Sequence, residues 1–166
     1  ALPAYPGVSA ADSLQGLQLL CTDRAQLARA HGDWLAGEVP REPVPLAMSF
    51  SASDDTLAPE GQHVVTIWGQ WYPYRLADGS DWTAIADAEA ARLVASVDRF
   101  APGFADSVQR LYVQTPLLLE QELLAGGGQT CRAAGVGEQH QGEQPRDPGV
   151  AGHQVVQHTG QSGPGL

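Results

Sequence analysis

The sequence HVVTIWGQWY, residues 63–72, is rich in β-branched and aromatic residues, which predicts a β-strand. Upstream of it, Leu46, Met48 and Phe50 alternate with smaller residues, and this period of two is typical of a half-buried strand. The polar segment 53–61 between the two runs has the composition of a chain reversal. We therefore expect the two strands to pair antiparallel.

Helical patterns flank these strands. Thr22 is the expected N-cap of a first helix over residues 23–36, and Asp81 is the expected N-cap of a second helix. Apolar residues recur at steps of three and four in both helices: Leu27, Ala30 and Trp34 in the first, and Trp82, Ala86, Ala90, Leu93, Val97 and Phe100 in the second. Shorter strands are predicted over residues 17–21 and 111–114, with a helical turn from Pro116. The fold class is α+β, an antiparallel sheet flanked by helices.

Composition divides the chain into three parts. Residues 1–16 predict an irregular lead-in, and residues 17–125 predict an ordered domain. Residues 126–166 contain no aromatic residue and abundant glycine and glutamine. Such a segment buries too little apolar surface to offset an ordering entropy of about 1–2 kcal/mol per residue, so we expect a disordered tail. A natural linker on one side, and a frameshift, a mispredicted exon or an artefact of cloning on the other, are equally good explanations of its composition.

Charge and composition exclude several classes of function. The net charge is -10, and the nine positive residues are all arginine without a cluster, so we expect no nucleic-acid partner. No apolar run approaches the roughly 20 residues of a transmembrane helix. Cys21 and Cys131 stand far apart, and a cytoplasmic location is expected. Because Ala1 begins the chain and Met48 is its single methionine, we expect a piece of a larger soluble protein.

Motifs for catalysis are incomplete throughout the sequence. The glycines at 126–128 and at 135 and 137 complete neither GxGxxG nor GxxxxGK[ST], and residues 160–164, GQSGP, miss GxSxG. His31 and His63 lie in predicted elements as lone histidines, which favours packing or surface roles over general-base catalysis. The adjacent Asp54 and Asp55 are typical of a turn. We predict no catalytic residue and no metal ligand.

The segment WGQWYPY, residues 68–74, places aromatic residues on both faces of the predicted strand. One face should meet the core, and the other is available to line a hydrophobic cavity. On the second interpretation the substrate-lining residues are Trp68, Gln70, Trp71 and Tyr72. Gly69 permits the close approach of a backbone or a flat ligand. Core packing alone remains the competing interpretation.

Several blocks, in order, resemble the phytoene desaturase-related flavoproteins, and most of all their pyridine nucleotide-disulfide oxidoreductase domain branch. The blocks are DDTLAPEGQHVV at 54–65, WGQWYPY at 68–74, FAPGFADSV at 100–108, and Thr115-Pro116 with Glu120. The resemblance covers residues 17–128. It implies part of the substrate-side domain of a two-domain FAD-dependent oxidoreductase, in which the sheet walls a channel for an apolar, carotenoid-like substrate and the flavin accepts a hydride equivalent.

Departures from the family limit what the resemblance implies. The GxGxxG that seats FAD is absent, and so is the C-terminal glycine-rich flavin motif. Asp55 stands where the family usually has proline, and Gln129 where it has asparagine. No cofactor-binding residue transfers to this chain, so FAD would be held by a missing portion of the same protein and the fragment alone would be inactive. The alternatives are a non-catalytic module that binds an apolar ligand and a non-functional truncated product.

Overall fold

Five strands form one antiparallel sheet in the computed structural model, which describes residues 2–9, 12, 16–125 and 150–160. The strand order is β1-β2-β3-β5-β4. The strands are β1 (Gln18–Leu19), β2 (Pro45–Met48), β3 (Gln62–Pro73), β4 (Val108–Gln114) and β5 (Val150–Gly160). The α+β class and the antiparallel pairing of β2 with β3 are confirmed.

The described ranges include the helices α1 (Arg24–Leu35), α2 (Trp82–Asp98), α3 (Phe104–Ser107) and α4 (Pro116–Ala125). Two 3-10 turns, Phe50–Ala52 and Asp55–Leu57, lie between β2 and β3. Asp81 caps α2 as expected, because its carboxylate accepts a hydrogen bond from the Thr83 amide. The expectation for α1 was wrong by one residue. Asp23 is its N-cap, while Thr22 donates instead to the side chain of Gln26.

The core lies between β2, β3 and helix α2. Val65 and Ile67 of β3 are buried together with Leu93 and Val97 of α2. Each apolar side chain buried in this way contributes roughly 1.5–3 kcal/mol relative to an exposed one. Tyr5 of the predicted lead-in also packs against this cluster.

The burial of β2 differs from the sequence pattern. Ala47 is buried and pairs with Ile67, whereas Leu46 and Met48 are half-buried and Phe50 is 65% exposed in a 3-10 turn. The register with β3 causes this arrangement, because it places Ala47 on the face that α2 covers. The larger residues of β2 therefore occupy the opposite face of the sheet.

Side chains fix the proline-rich loop between α1 and β2. Gln26 donates to the Pro43 carbonyl oxygen at 3.1 Å. The buried Asp33 carboxylate accepts from the backbone amide of Arg41 and from two of its guanidinium nitrogens, at 2.6–2.9 Å. Proline has no backbone N–H, so this loop has fewer backbone donors, and the side-chain hydrogen bonds hold it in place.

Asp33 should make stability depend on pH. Hydrogen bonds from Arg41 lower the pKa of its carboxyl in the folded chain. Its stabilising contribution is therefore fully present above the ordinary aspartate pKa of about 4 and is lost as pH falls through the lower folded value. We expect Asp33→Asn to reduce stability at neutral pH and to flatten the loss of stability below about pH 5 in urea denaturation. Arg41→Gln should flatten it equally, and a steep acid limb in both variants would contradict this role.

Strand β5 lies inside the segment predicted to be disordered. Its sequence carries three valines and a threonine, and β-branched residues favour extended backbone. Residues 126–149 and 161–166, which the sequence also predicts to be disordered, lie outside the described residues. The division of the chain into a lead-in, an ordered domain and a tail stays a prediction. Among the described helices, none is long and apolar enough to cross a membrane.

Candidate functional site

Trp68 lies on the face of the sheet opposite to the buried Val65 and Ile67, and its side chain is 45% exposed. Its cross-strand partner is Leu46, which in turn pairs with Leu19 of β1. Directly opposite residues in neighbouring strands share a face, with their Cβ atoms about 5 Å apart. Leu19, Leu46 and Trp68 thus form an apolar row across three strands, which we call the open-face row.

A β-bulge interrupts β3 between Gly69 and Tyr72, where the pairing with β5 shifts. Trp71 adopts a left-handed backbone conformation, with φ at 57°, which costs a non-glycine residue roughly 1–2 kcal/mol. Its ring meets His31 edge-on at 5.9 Å, and His31 lies 5.3 Å from Trp34, between ring centroids. The bulge thereby turns Trp71 toward helix α1 and away from the open-face row.

Tyr72 belongs to the core. Its side chain is fully buried, and its hydroxyl donates to Glu89 at 3.4 Å. Burial, followed by the charge of Glu89, raises the pKa of the phenol far above its usual range. Gly69 is the reason the ring fits, because a Cβ at that position would stand 2.4 Å from Cε2 of Tyr72. The group that approaches Gly69 closely is thus a core side chain, and not the backbone or flat ligand that the sequence suggested.

The four predicted lining residues therefore do not share one surface. Trp68 has an exposed ring, Gln70 and Trp71 are half-buried in the bulge, and Tyr72 is enclosed. The backbone amide of Gln70 donates to the Val44 carbonyl oxygen and fixes the bulge to the chain before β2. Their substrate-lining role stays a prediction. The geometry supports it best for Trp68 and offers no surface at Tyr72.

Sequence reasoning missed a buried ion pair behind the bulge. Arg92 donates from Nη1 to both oxygens of the buried Glu89 at 2.8 Å. Its Nη2 donates to the carbonyl oxygens of Pro40 and Arg41 at 2.7 and 2.8 Å. The separation of three residues on one helix is the signal that could have found the pair. Since its donors and acceptors are used for bonding within the fold, we assign the pair to positioning β3 and the proline-rich loop.

The described residues offer little catalytic chemistry. Ser51 accepts a hydrogen bond from the Val64 amide at 2.9 Å and lies 3.4 Å from Nδ1 of His63, which joins a 3-10 turn to β3. No group of three or more histidine, cysteine, aspartate or glutamate residues within the described ranges is arranged to hold a metal ion. These contacts support the fold rather than an acid-base pair.

The N-termini of the two long helices, α1 and α2, do not fit the pyrophosphate of a flavin dinucleotide. Helix N-termini attract phosphate through their free amides and the positive end of the helix dipole. In this chain the carboxylates of Asp23 and Asp81 already bond to those amides at α1 and α2, where a second anion would be repelled. Helices α1 and α2 therefore leave no free N-terminus for the phosphates of a flavin dinucleotide.

Comparison with known proteins finds similarity to four curated proteins, among them two that are named pyridine nucleotide-disulfide oxidoreductase domain-containing protein 2. The mouse protein is 33% identical over 140 residues, which covers 81% of this chain and 23% of the relative. The rat protein is 33% identical over 119 residues, covering 71% of this chain and 20% of the relative. The chain thus spans about a quarter of the length of these relatives.

Neither a protein-family description nor a solved structure matches the chain. The pyridine nucleotide-disulfide oxidoreductase domain branch of the expected resemblance is supported by the two relatives. The wider relation to phytoene desaturases and carotenoid substrates stays a prediction.

Proposed function

We propose that this chain is part of an oxidoreductase of the kind named in its relatives, and that it forms one wall of the site for an apolar substrate. The observation that carries the proposal is the similarity to the two oxidoreductase domain-containing proteins over most of this chain. Because the chain spans about a quarter of their length, the rest of such a protein would supply the FAD site and with it the redox chemistry.

The open-face row supports the role of a wall. A ligand of moderate size needs a concave site that covers most of its surface, and this sheet face with exposed Leu19 and Trp68 provides one side of such a site. The pocket near Tyr5, Ala47 and Met48 is small and lies away from Trp68. A second wall from the remainder of a longer protein would enclose the row and exclude water.

FAD binding tests the proposal that this chain walls the substrate site and that other parts of the protein hold the flavin. We expect the chain alone, incubated with FAD and then desalted, to retain no stoichiometric yellow absorbance. A chimera in which residues 17–122 replace the matching segment of the mouse relative should bind FAD and show substrate-dependent reduction with an apolar substrate. Stoichiometric FAD binding by the chain alone would overturn the proposal that FAD is held elsewhere. A folded chimera that lacks flavin would overturn the oxidoreductase assignment.

A non-catalytic binding module is the second candidate, because the open-face row is exposed in this chain by itself. It requires that the isolated chain unfold cooperatively and bind a hydrophobic dye or a polyene saturably. Non-cooperative melting would count against it.

A non-functional product with a wrong-frame tail is the third candidate. Retranslating the DNA after codon 125 in the other two frames tests it, because a glycine-rich flavin motif in one of those frames would show that the tail is out of frame.

Trp68→Ala should weaken the binding of an apolar ligand, whether the row walls a substrate site or belongs to a non-catalytic binding module. We expect the dye or polyene affinity to fall at least several-fold, while stability falls by at most about 1 kcal/mol because the ring is already half in water. Leu57→Ala is the matched control, since Leu57 is similarly exposed but lies in a 3-10 turn outside the row. Fluorescence titration measures the affinity. Equal losses in the two variants would remove Trp68 from the site.

A further inference from the structure

The position between β3 and β4 is filled by the last strand of the chain. β5 pairs with β3 from Gln62↔Gly160 to Pro73↔Val150. On its other side it pairs with β4 from Val108↔Thr159 to Gln114↔Gln154. β3 and β4 are therefore one strand apart, and each presents a hydrogen-bonding edge to the same occupant. We call this position the strand slot; emptying it would leave two edges with unpaired backbone groups.

The sequence of β5 specifies its register weakly. Along VAGHQVVQHTG, residues 150–160, neither of the two alternating sets of residues is uniformly apolar. Register is strongly specified only where one alternating set is hydrophobic, and a weakly specified strand is prone to exchange. The strand slot pairs with β5 along the backbone on both sides, and a second polypeptide of the same sequence can provide the same pairing.

The connection to β5 is long enough for such an exchange. Helix α4 ends at Ala125 and β5 begins at Val150, so residues 126–149 separate them. Twenty-four residues span at most about 80 Å when fully extended, compared with a radius of gyration of roughly 15 Å for a domain of this size. The strand can therefore reach a slot in its own chain or in a neighbouring chain.

We propose that the strand slot is an acceptor site for Val150–Gly160 of a second copy of this chain, giving a dimer by strand exchange. The proposal is independent of the oxidoreductase assignment, since it uses only β3, β4 and β5. A tethered strand competes at an effective concentration on the order of millimolar, so the exchanged dimer should increase with protein concentration.

Two measurements on the full chain test the proposal. Size-exclusion chromatography with light scattering should show a dimer fraction that increases with concentration in the wild-type chain. Val155→Pro should abolish the dimer, because Val155 is paired on both sides and a proline there removes an N–H from a central strand. Val155→Thr, which retains the N–H and the β-branch, should leave the dimer intact. A monomer at every wild-type concentration, or a dimer that survives Val155→Pro, would overturn the proposal.

A synthetic peptide of residues 150–160 probes the slot directly. We expect saturable binding of the labelled peptide to the Val155→Pro chain, measured by fluorescence anisotropy, and at least tenfold weaker binding of the same peptide carrying proline at position 155. Equal binding of both peptides would show that backbone pairing in the slot is not responsible. The wild-type concentration series decides the matter even if the proline variant does not fold.

Discussion

Gly69→Ala should lower the free energy of unfolding by about 2–3 kcal/mol, the cost of overpacking a well-filled core. The added methyl group would stand 2.4 and 2.9 Å from two ring carbons of Tyr72 and 3.1 Å from Leu93. Neither neighbour can move away easily, because both side chains are fully buried. Urea denaturation with the slope held common measures the loss.

Gly32→Ala is the control for this substitution. Gly32 lies within helix α1, is exposed, and has no atom within 4 Å of the position of an added Cβ. Alanine there should raise stability by about 0.5–1 kcal/mol through helix propensity. Changes of the same sign in the two variants would mean that the Tyr72 ring does not lie against Gly69 in solution.

Local patterns predict β2, β3 and the longer helices of this fold, but they predict neither β5 nor how the strands are placed together. The alternation around Leu46 predicts β2, and the aromatic and β-branched run predicts β3. The face of β2 that becomes buried depends on its register with β3, where Ala47 meets Ile67. That register is a long-range property, and a shift by one residue exchanges the two faces of a strand. The larger residues of β2 consequently lie on the uncovered face.

The candidate site shows the same limit. Aromatic residues at 68, 71 and 72 predict an unusual strand, but a regular alternation cannot produce a bulge. Trp68, before the bulge, lies in the open-face row, whereas the left-handed conformation of Trp71 turns that ring toward α1 and Tyr72 lies in the core. The exposure of Trp68 in the open-face row depends on which parts of the chain cover the sheet. Sequence periodicity does not predict which face of a sheet is covered.

Charged residues within a helix usually indicate a solvent-facing side, and for this reason the sequence does not predict the burial of Glu89. In the structure it is buried and lies within reach of Tyr72 and Arg92. Burial of a carboxylate is tolerated only when a cation and hydrogen bonds compensate for the lost hydration. Arg92 lies one turn away on the same helix, but Tyr72 comes from β3 and the Pro40 and Arg41 carbonyl oxygens come from the proline-rich loop, so the complete network exists only in the folded chain.

Arg92→Met should lower the free energy of unfolding by about 3 kcal/mol. The substitution retains an apolar stem but leaves the Glu89 carboxylate, 8% exposed as a side chain, without its cation. It also removes the donor to the Pro40 and Arg41 carbonyl oxygens. Because the Arg92 side chain is itself 37% exposed, water can reach part of the site, and the loss should lie at the low end of the range for buried pairs. Thermal and urea unfolding measure it.

Two further variants separate the cost of an unpaired charge from the value of the pair. Arg29→Met breaks an exposed pair with Glu42, whose side chains are 51% and 50% exposed, and should cost at most about 1 kcal/mol. Combining Arg92→Met with Glu89→Gln should cost less than the sum of the single substitutions, because the neutral amide removes the charge that Arg92→Met leaves uncompensated. Additive losses would show instead that the two residues stabilise the fold independently, and that Tyr72 and the proline-rich loop are not held through one shared network.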